Sequence, residues 1–442
     1  MTQRLQQVKN KIDAPARNVI RPGLSRTFTL LERMGNPQNH LNGIHVAGTN
    51  GKGSVCAMLE SVLRTAGYRT GLYTSPHLKR ANEEIRVSGT EISDAAYEEL
   101  MARTLREAEA MTDPPTRFEI TTAAALTYFY EQGCDLVIME AGMGGAQDAT
   151  NVIPPPEVCV ITNIGLDHTA YLGDTPEQIA AQKAGIIKAG SHVVCYDLPA
   201  DLRRVIDEAA LRVGAPVRYA DFGHLCEDDA GGAAVAEKGL SILRYRGRTY
   251  TVNLSGIYQK RNTAVVLETV GALRERGWEI PQEAEDAGLR SVQWPARFEV
   301  LREEPLLILD GGHNPQCAAA FAESLSRIRP GRCWRIVLGV LRDKEYETVV
   351  DLLLPQTEEL ICLTPENERA LPAQELSDVI RSHLHRQGRR ADVRVTAFGS
   401  IDEGMRALRQ EKPEESPPTA VFGSLYLAGP VREWWTSHKN DG

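Results

Sequence analysis

Short apolar runs recur along this chain, each ended by polar or glycine-rich punctuation and followed by a stretch with helical spacing. TGLYT (70–74), DLVIME (135–140), EVCVIT (157–162) and HVVCY (192–196) read as buried strands. Parallel strands need a long crossover, usually a helix, so this alternation predicts a parallel sheet covered by helices. A second αβ series starts near residue 298, with LLILD (306–310), RIVLGV (335–340), LICLT (360–364), DVRVTAF (392–398) and TAVFGS (419–424). At 442 residues the chain has room for two or three domains. The expected division is residues 1–295 and 296–442, with a hinge at Val292–Arg297 where Trp294-Pro295 breaks regular structure. SILRYRG and RTYTVNL predict a hairpin turning near Arg246-Gly247. CEDDAGGAAVAEKG (226–239) reads as a surface loop and PEESPP (413–418) as a rigid polar one.

One strand–helix junction carries chemistry. HVAGTNGKGSV (45–55) follows a short apolar strand, and from Ser54 the apolar residues Val55, Met58, Leu59, Val62, Leu63 and Ala66 lie on one helical face. A glycine loop entering a helix points N–H groups at the positive end of the helix dipole, which favours a phosphate. The loop is Gly48, Thr49, Asn50, Gly51, Lys52, Gly53 and Ser54, with Lys52 as a point charge for the outer phosphates. The full phosphate-loop pattern wants glycine where Val46 stands and Ser or Thr directly after the lysine, where Gly53 stands. The plainer reading is a tight turn with an exposed lysine. The fold class expected is α/β: a phosphate-loop, parallel-sheet ATPase domain, then a smaller doubly wound, Rossmann-like domain.

Ligands of open parallel sheets bind beyond the carboxyl ends of the strands. Here TGLYT runs into Ser75-Pro76-His77, DLVIME ends in Glu140, and EVCVIT leads to Asp167-His168. A hydroxyl, a carboxylate and an imidazole near a phosphate loop suit Mg²⁺, which prefers oxygen ligands and shares phosphates and waters. Histidine is the less usual ligand, and Glu140 alone would read as a loop carboxylate. In the second series LLILDGGHNP ends a strand at Asp310 and places His313 before Asn314-Pro315, with Arg297 upstream in WPARFEV. Asp310 could accept from a ribose or a metal-bound water, Arg297 could pair with phosphate, and His313 could touch a phosphate or a carboxylate substrate. A helix start capped by Asn314 accounts for the same residues. Lys183, in AAQKAGIIKAG, reads by composition as a snorkelling surface lysine.

A net charge of −9 argues against a nucleic-acid surface, and no apolar run approaches the roughly 18 residues of a membrane span. The N-terminus lacks an apolar signal segment, and the eight cysteines include no C-x-x-C pair, so a reducing cytoplasm is expected.

Taken together the segments resemble the folylpolyglutamate synthase / dihydrofolate synthase family of the Mur-ligase superfamily. LLERMGNPQ (30–38), HVAGTNGKGSV, TSPHL (74–78), EEIRVSG (83–89), TRFEITTAAALTYF (116–129), MEAGMGGAQDATNVI (139–153), ITNIGLDHTAYLG (161–173), QKAGIIK (182–188), DGGHNP and GSLY (423–426) occur in the family's order. The resemblance implies that the loop holds ATP and that Ser75, Glu140 and His168 hold magnesium. It also implies that Lys183 is carbamylated and helps hold a second ion. Asn262, Arg297 and Asp310 would contact the nucleotide from the domain interface, and His313 the reacting phosphate and incoming glutamate. Substrates would be a folate or pteroate and L-glutamate, joined through an acyl phosphate by a monomer. The chain departs from the pattern at Ala146-Gln147 (usually Arg-Leu), Tyr258 (usually His), Gln182 (usually Glu) and Gly311 (usually Ala). Another amino-acid ligase of the superfamily, or a nucleotide-dependent switch, are the alternatives.

Overall fold

The computed structural model describes residues 3–14, 16–227, 236–386, 388, 393–410 and 416–438. Its contacts divide the chain into two compact units, Met1–Leu225 with Arg261–Val292, and Cys226–Lys260 with Gln293–Gly442. One division falls between Val292 and Gln293. Residues 226–260 group with the C-terminal unit, however, whereas the sequence division left them in the first.

The first unit is built on an eight-stranded sheet of order β4-β3-β2-β5-β1-β6-β7-β8. Its parallel strands are β1 (Gly43–Ala47), β2 (Thr70–Tyr73), β5 (Leu136–Glu140), β6 (Val158–Ile161), β7 (His192–Cys195) and β8 (Val217–Tyr219). β1, β2, β5 and β6 are buried along their whole length, as strands covered on both faces by helices must be. Two short antiparallel strands, β3 (Ile85–Val87) and β4 (Thr90–Glu91), finish one edge. β1 lies between β5 and β6 with its chain neighbour β2 beyond β5, so the strand order diverges at β1 and opens a crevice at its carboxyl end.

In the second unit, β10 (Ser241–Tyr245) and β11 (Arg248–Val252) form the expected hairpin, and Arg246 and Gly247 take the positive φ values, 46° and 82°, that a two-residue turn requires. β9 (Leu225–Glu227) adds a third strand, so the segment read as a surface loop begins as strand; residues 228–235 of it lie outside the described residues. Residues 413–415 of the expected polar loop also lie outside them. The main sheet has order β12-β13-β17-β14-β15-β16. β13 (Leu307–Leu309), β14 (Trp334–Leu338), β15 (Thr357–Cys362), β16 (Arg394–Ala397) and β17 (Thr419–Phe422) are parallel. β12 (Glu299–Arg302) pairs antiparallel at the edge. Its core includes Phe298, Phe321, Trp334 and Phe422, with Phe321 and Phe422 stacked at 4.8 Å.

Candidate active site

The phosphate loop leaves β1 and enters the helix Lys52–Thr65. It is clamped to the segment after β6. Thr49 N donates to Asn163 O (2.8 Å), Asn50 N to Asn163 Oδ1 (2.6 Å), and Thr162 Oγ1 to Asn50 O (2.7 Å). Two glycines make the path possible. Gly51 has φ 85°, and a Cβ there would sit 2.5 Å from Asn262 Oδ1; a Cβ on Gly48 would sit 1.7 Å from Thr162 Oγ1. Gly51 occupies the N-cap position with no side chain to cap the helix, so the first-turn N–H groups of Lys52, Gly53 and Ser54 face outward from the dipole's positive end. Lys52 folds back over the loop, its Nζ donating to Gly48 O (3.1 Å) and Thr49 O (3.2 Å). The cation and the helix terminus therefore address one place, which is a phosphate's electrostatic requirement. Asn262, buried on the helix Ile257–Glu275, groups with this unit and accepts from the Tyr196 hydroxyl.

Glu140, at the end of β5, is buried, and its Oε2 accepts from Ser75 N at 3.3 Å. A carboxylate with a serine beside it is an oxygen donor set of the kind a hard divalent cation takes. Among the described residues no group of three or more His, Cys, Asp and Glu could hold a metal unaided. A magnesium ion here would thus complete its shell with phosphate oxygens and water. His168 opens the one-turn helix Thr169–Leu172 with φ 50°, its ring exposed and 4.0 Å from the Asp167 carboxylate.

Lys183 corrects the reading from composition. It is 3% exposed, at the end of the helix Pro176–Ala184. Burial, reinforced by the charge of Lys52 and opposed by Asp167 and Asp148, lowers its pKa to about 7. A buried amine with so depressed a pKa is not a solubilising surface charge.

Next to these groups is a hydrogen-bonded chain, Asp148–Thr150–His45, whose Thr150 and His45 the sequence reading passed over. Asp148 is buried, and burial raises its pKa. Its Oδ2 accepts from Met143 N (2.7 Å), and its Oδ1 from Thr150 N (3.0 Å) and Thr150 Oγ1 (2.5 Å). Because that hydroxyl donates to Asp148, it accepts from His45 Nε2 at 2.7 Å. The imidazole is thereby fixed as the Nε2–H tautomer, its Nδ1 buried without a partner and its pKa lowered to about 3 by burial and Lys188. An imidazole inside an apolar strand run was the signal available in the sequence.

In the second unit Asp310 ends β13 and is buried. Its Oδ1 accepts from Gly312 N (2.6 Å), and its Oδ2 from Phe298 N (2.8 Å) and the Tyr258 hydroxyl. Asn314 caps the helix Pro315–Ile328, its Oδ1 accepting from Cys317 N at 2.9 Å, with half-buried His313 just before it. The capped helix start is therefore real, and it places His313 at a strand's carboxyl end.

These features define a class, the phosphate-loop ligases of the Mur type. Residues 46–270 match the Mur ligase middle domain and residues 296–417 the Mur ligase glutamate ligase domain. The chain belongs to the folylpolyglutamate synthase / dihydrofolate synthase family. It is 31% identical to the dihydrofolate synthase/folylpolyglutamate synthase of Bacillus subtilis, over 94% of this chain and 95% of that one. It covers 49% of a Haloferax volcanii relative named as a probable bifunctional folylpolyglutamate synthase/dihydropteroate synthase, and is 33% identical to it. The Mycobacterium tuberculosis folylpolyglutamate synthase complexed with ADP and AMPPCP superposes with a TM-score of 0.85 at 28% identity, covering 98% of each chain. An Escherichia coli structure described as FolC in complex with DHPP and ADP gives 0.83 at 28% identity, covering 99% of each.

Proposed function

We propose that this chain joins L-glutamate to the carboxyl group of a folate, and to that of dihydropteroate, using ATP. The carrying observation is the uncapped helix start at Gly51 with Lys52 held across it, which suits the β- and γ-phosphates of a nucleotide. The nucleotides and DHPP named for the M. tuberculosis and E. coli structures support the choice of substrates. A carboxylate oxygen attacks the γ-phosphorus, giving an acyl phosphate and ADP. The amine of L-glutamate then attacks the acyl carbon, the amide forms, and phosphate leaves. Such phosphoryl transfer depends on positioning and charge more than on covalent protein chemistry.

In this reading Lys52 neutralises charge on the outer phosphates, and Gly48, Thr49, Asn50, Gly51, Gly53 and Ser54 shape the cradle. Ser75, Glu140 and His168 would hold magnesium, which when bound adds positive charge beside the phosphates. Neutral Lys183 would add to CO2, an N–C bond forming and one proton leaving, to give a carbamate that could bind a second ion. Arg297, Asp310 and Asn262 are assigned to the nucleotide and His313 to the glutamate. The free state of all eight cysteines supports a reducing compartment, and we place the enzyme in the cytoplasm as a monomer. Among the described residues no helix is long and apolar enough to cross a membrane.

The test is ADP release by purified protein with ATP, Mg²⁺ and L-glutamate, comparing dihydropteroate with tetrahydrofolate. Turnover with both is expected. Turnover with tetrahydrofolate alone removes the dihydrofolate synthase half, and turnover with neither by folded protein removes the folate assignment.

A further inference from the structure

We propose that Tyr258 is a positioning residue of the nucleotide site: its hydroxyl fixes the Asp310 carboxylate and, through it, the backbone bend that carries Arg297. The inference rests on the assignment of Arg297 and Asp310 to the nucleotide.

The bend is unusual. Ala296 and Phe298, on either side of Arg297, have φ values of 55° and 54°. Non-glycine residues rarely take this region and persist there only where the surroundings hold them. Ala296 N donates to Glu299 Oε2 at 2.9 Å, and the other holding contacts meet at Asp310 and its neighbour Gly311. Phe298 N donates to Asp310 Oδ2 at 2.8 Å, and Gly311 N donates to Ala296 O at 2.9 Å. The backbone thus ties the bend to the Asp310 carboxylate at Phe298 and to Gly311 at Ala296, and Tyr258 adds a side-chain donor to the same oxygen that takes Phe298 N. The Tyr258 ring also packs edge-on against Phe298, centroids 6.4 Å apart at 78°, so ring and hydroxyl grip the two ends of one contact.

Gly311 lies against the same bend. A Cβ on Gly311 would lie 2.3 Å from Leu425 Cδ2 and 3.2 Å from Arg297 Nη1, so Leu425 fills the space a methyl would take and the guanidinium lies along the bare glycine. Tyrosine supplies a neutral donor, whereas a histidine's charge would change near neutral pH. Asp310 and Arg297 are read as binding groups, so loosening them should weaken nucleotide binding and leave the bond-making step alone.

The experiment measures AMPPCP binding by titration calorimetry, and steady-state kinetics, for the wild type, Tyr258→Phe, Tyr258→His and Arg297→Ala. Tyr258→Phe removes one oxygen and keeps the ring. The expected result is binding weakened about tenfold, the loss of one hydrogen bond to a charged group. The KM for ATP should rise by a similar factor with kcat within twofold, and Tyr258→His should recover most of the affinity. If Tyr258→Phe binds within twofold of wild type while Arg297→Ala binds weakly, the proposal is wrong and the nucleotide assignment stands. If folded Arg297→Ala binds like wild type, the assignment itself is wrong. A fall in kcat with unchanged KM also contradicts the proposal. Melting curves check that each variant folds, and Tyr258→Leu, which also lacks the hydroxyl, is read by the same criteria should Tyr258→Phe not fold.

Discussion

At the scale of single residues, Lys183 shows how position overrides composition. Among alanines and isoleucines it reads as a surface lysine, because nothing local reports Lys52, Asp148 or Asp167, which the fold brings close enough to act on it. A lysine in the unfolded chain titrates near 10.4. With the folded value lowered to about 7, the unfolded chain binds more protons between these values, so stability rises with pH across that window. The penalty for burying Lys183 is full below about pH 7 and fades toward pH 10. In CO2-free buffer Lys183→Met should therefore be more stable than wild type at pH 6, by on the order of a few kcal/mol, and melt at a higher temperature, and the gain should shrink by pH 9. Glutamate ligation should be lost. A melting advantage that grows with pH would contradict the shift. His45 and Thr150 escaped the sequence reading for a related reason, since their hydrogen bond joins a strand to a loop 105 positions away.

At the scale of elements, the long apolar strands were legible because burial on both faces leaves continuous hydrophobic runs, as in β1, β5 and β6. β3, β4 and β9 were not, since two or three residues carry no usable periodicity. The phosphate loop was legible despite its imperfect motif, because strand, glycines and helix agree. What the motif could not convey is the clamp by Thr162 and Asn163, or the packing of Gly51 against Asn262. That packing yields a prediction for the element as a whole. Gly51→Ala puts a Cβ 2.5 Å from Asn262 Oδ1 at a φ of 85°, and should destabilise the protein by about 1–3 kcal/mol and raise the KM for ATP. Thermal melting and ATP titration check it; a variant as stable and as active as wild type would mean the loop's backbone is not held as described.

At the scale of the whole molecule, the first unit holds the phosphate loop, the Ser75–Glu140 pair and Lys183, and the second holds Arg297, Asp310 and His313. The central claim is that nucleotide chemistry at Lys52 serves amide synthesis. A regulatory switch with the same loop would hydrolyse ATP without regard to an amino acid. The most direct measurement is ADP release with ATP, Mg²⁺ and tetrahydrofolate, with and without L-glutamate, by the wild type and by folded Lys52→Ala. ADP release that requires glutamate, matches amide formed one for one, and falls at least a hundredfold in Lys52→Ala is the result expected. ADP release indifferent to glutamate, or a Lys52→Ala variant with normal kcat, would contradict it.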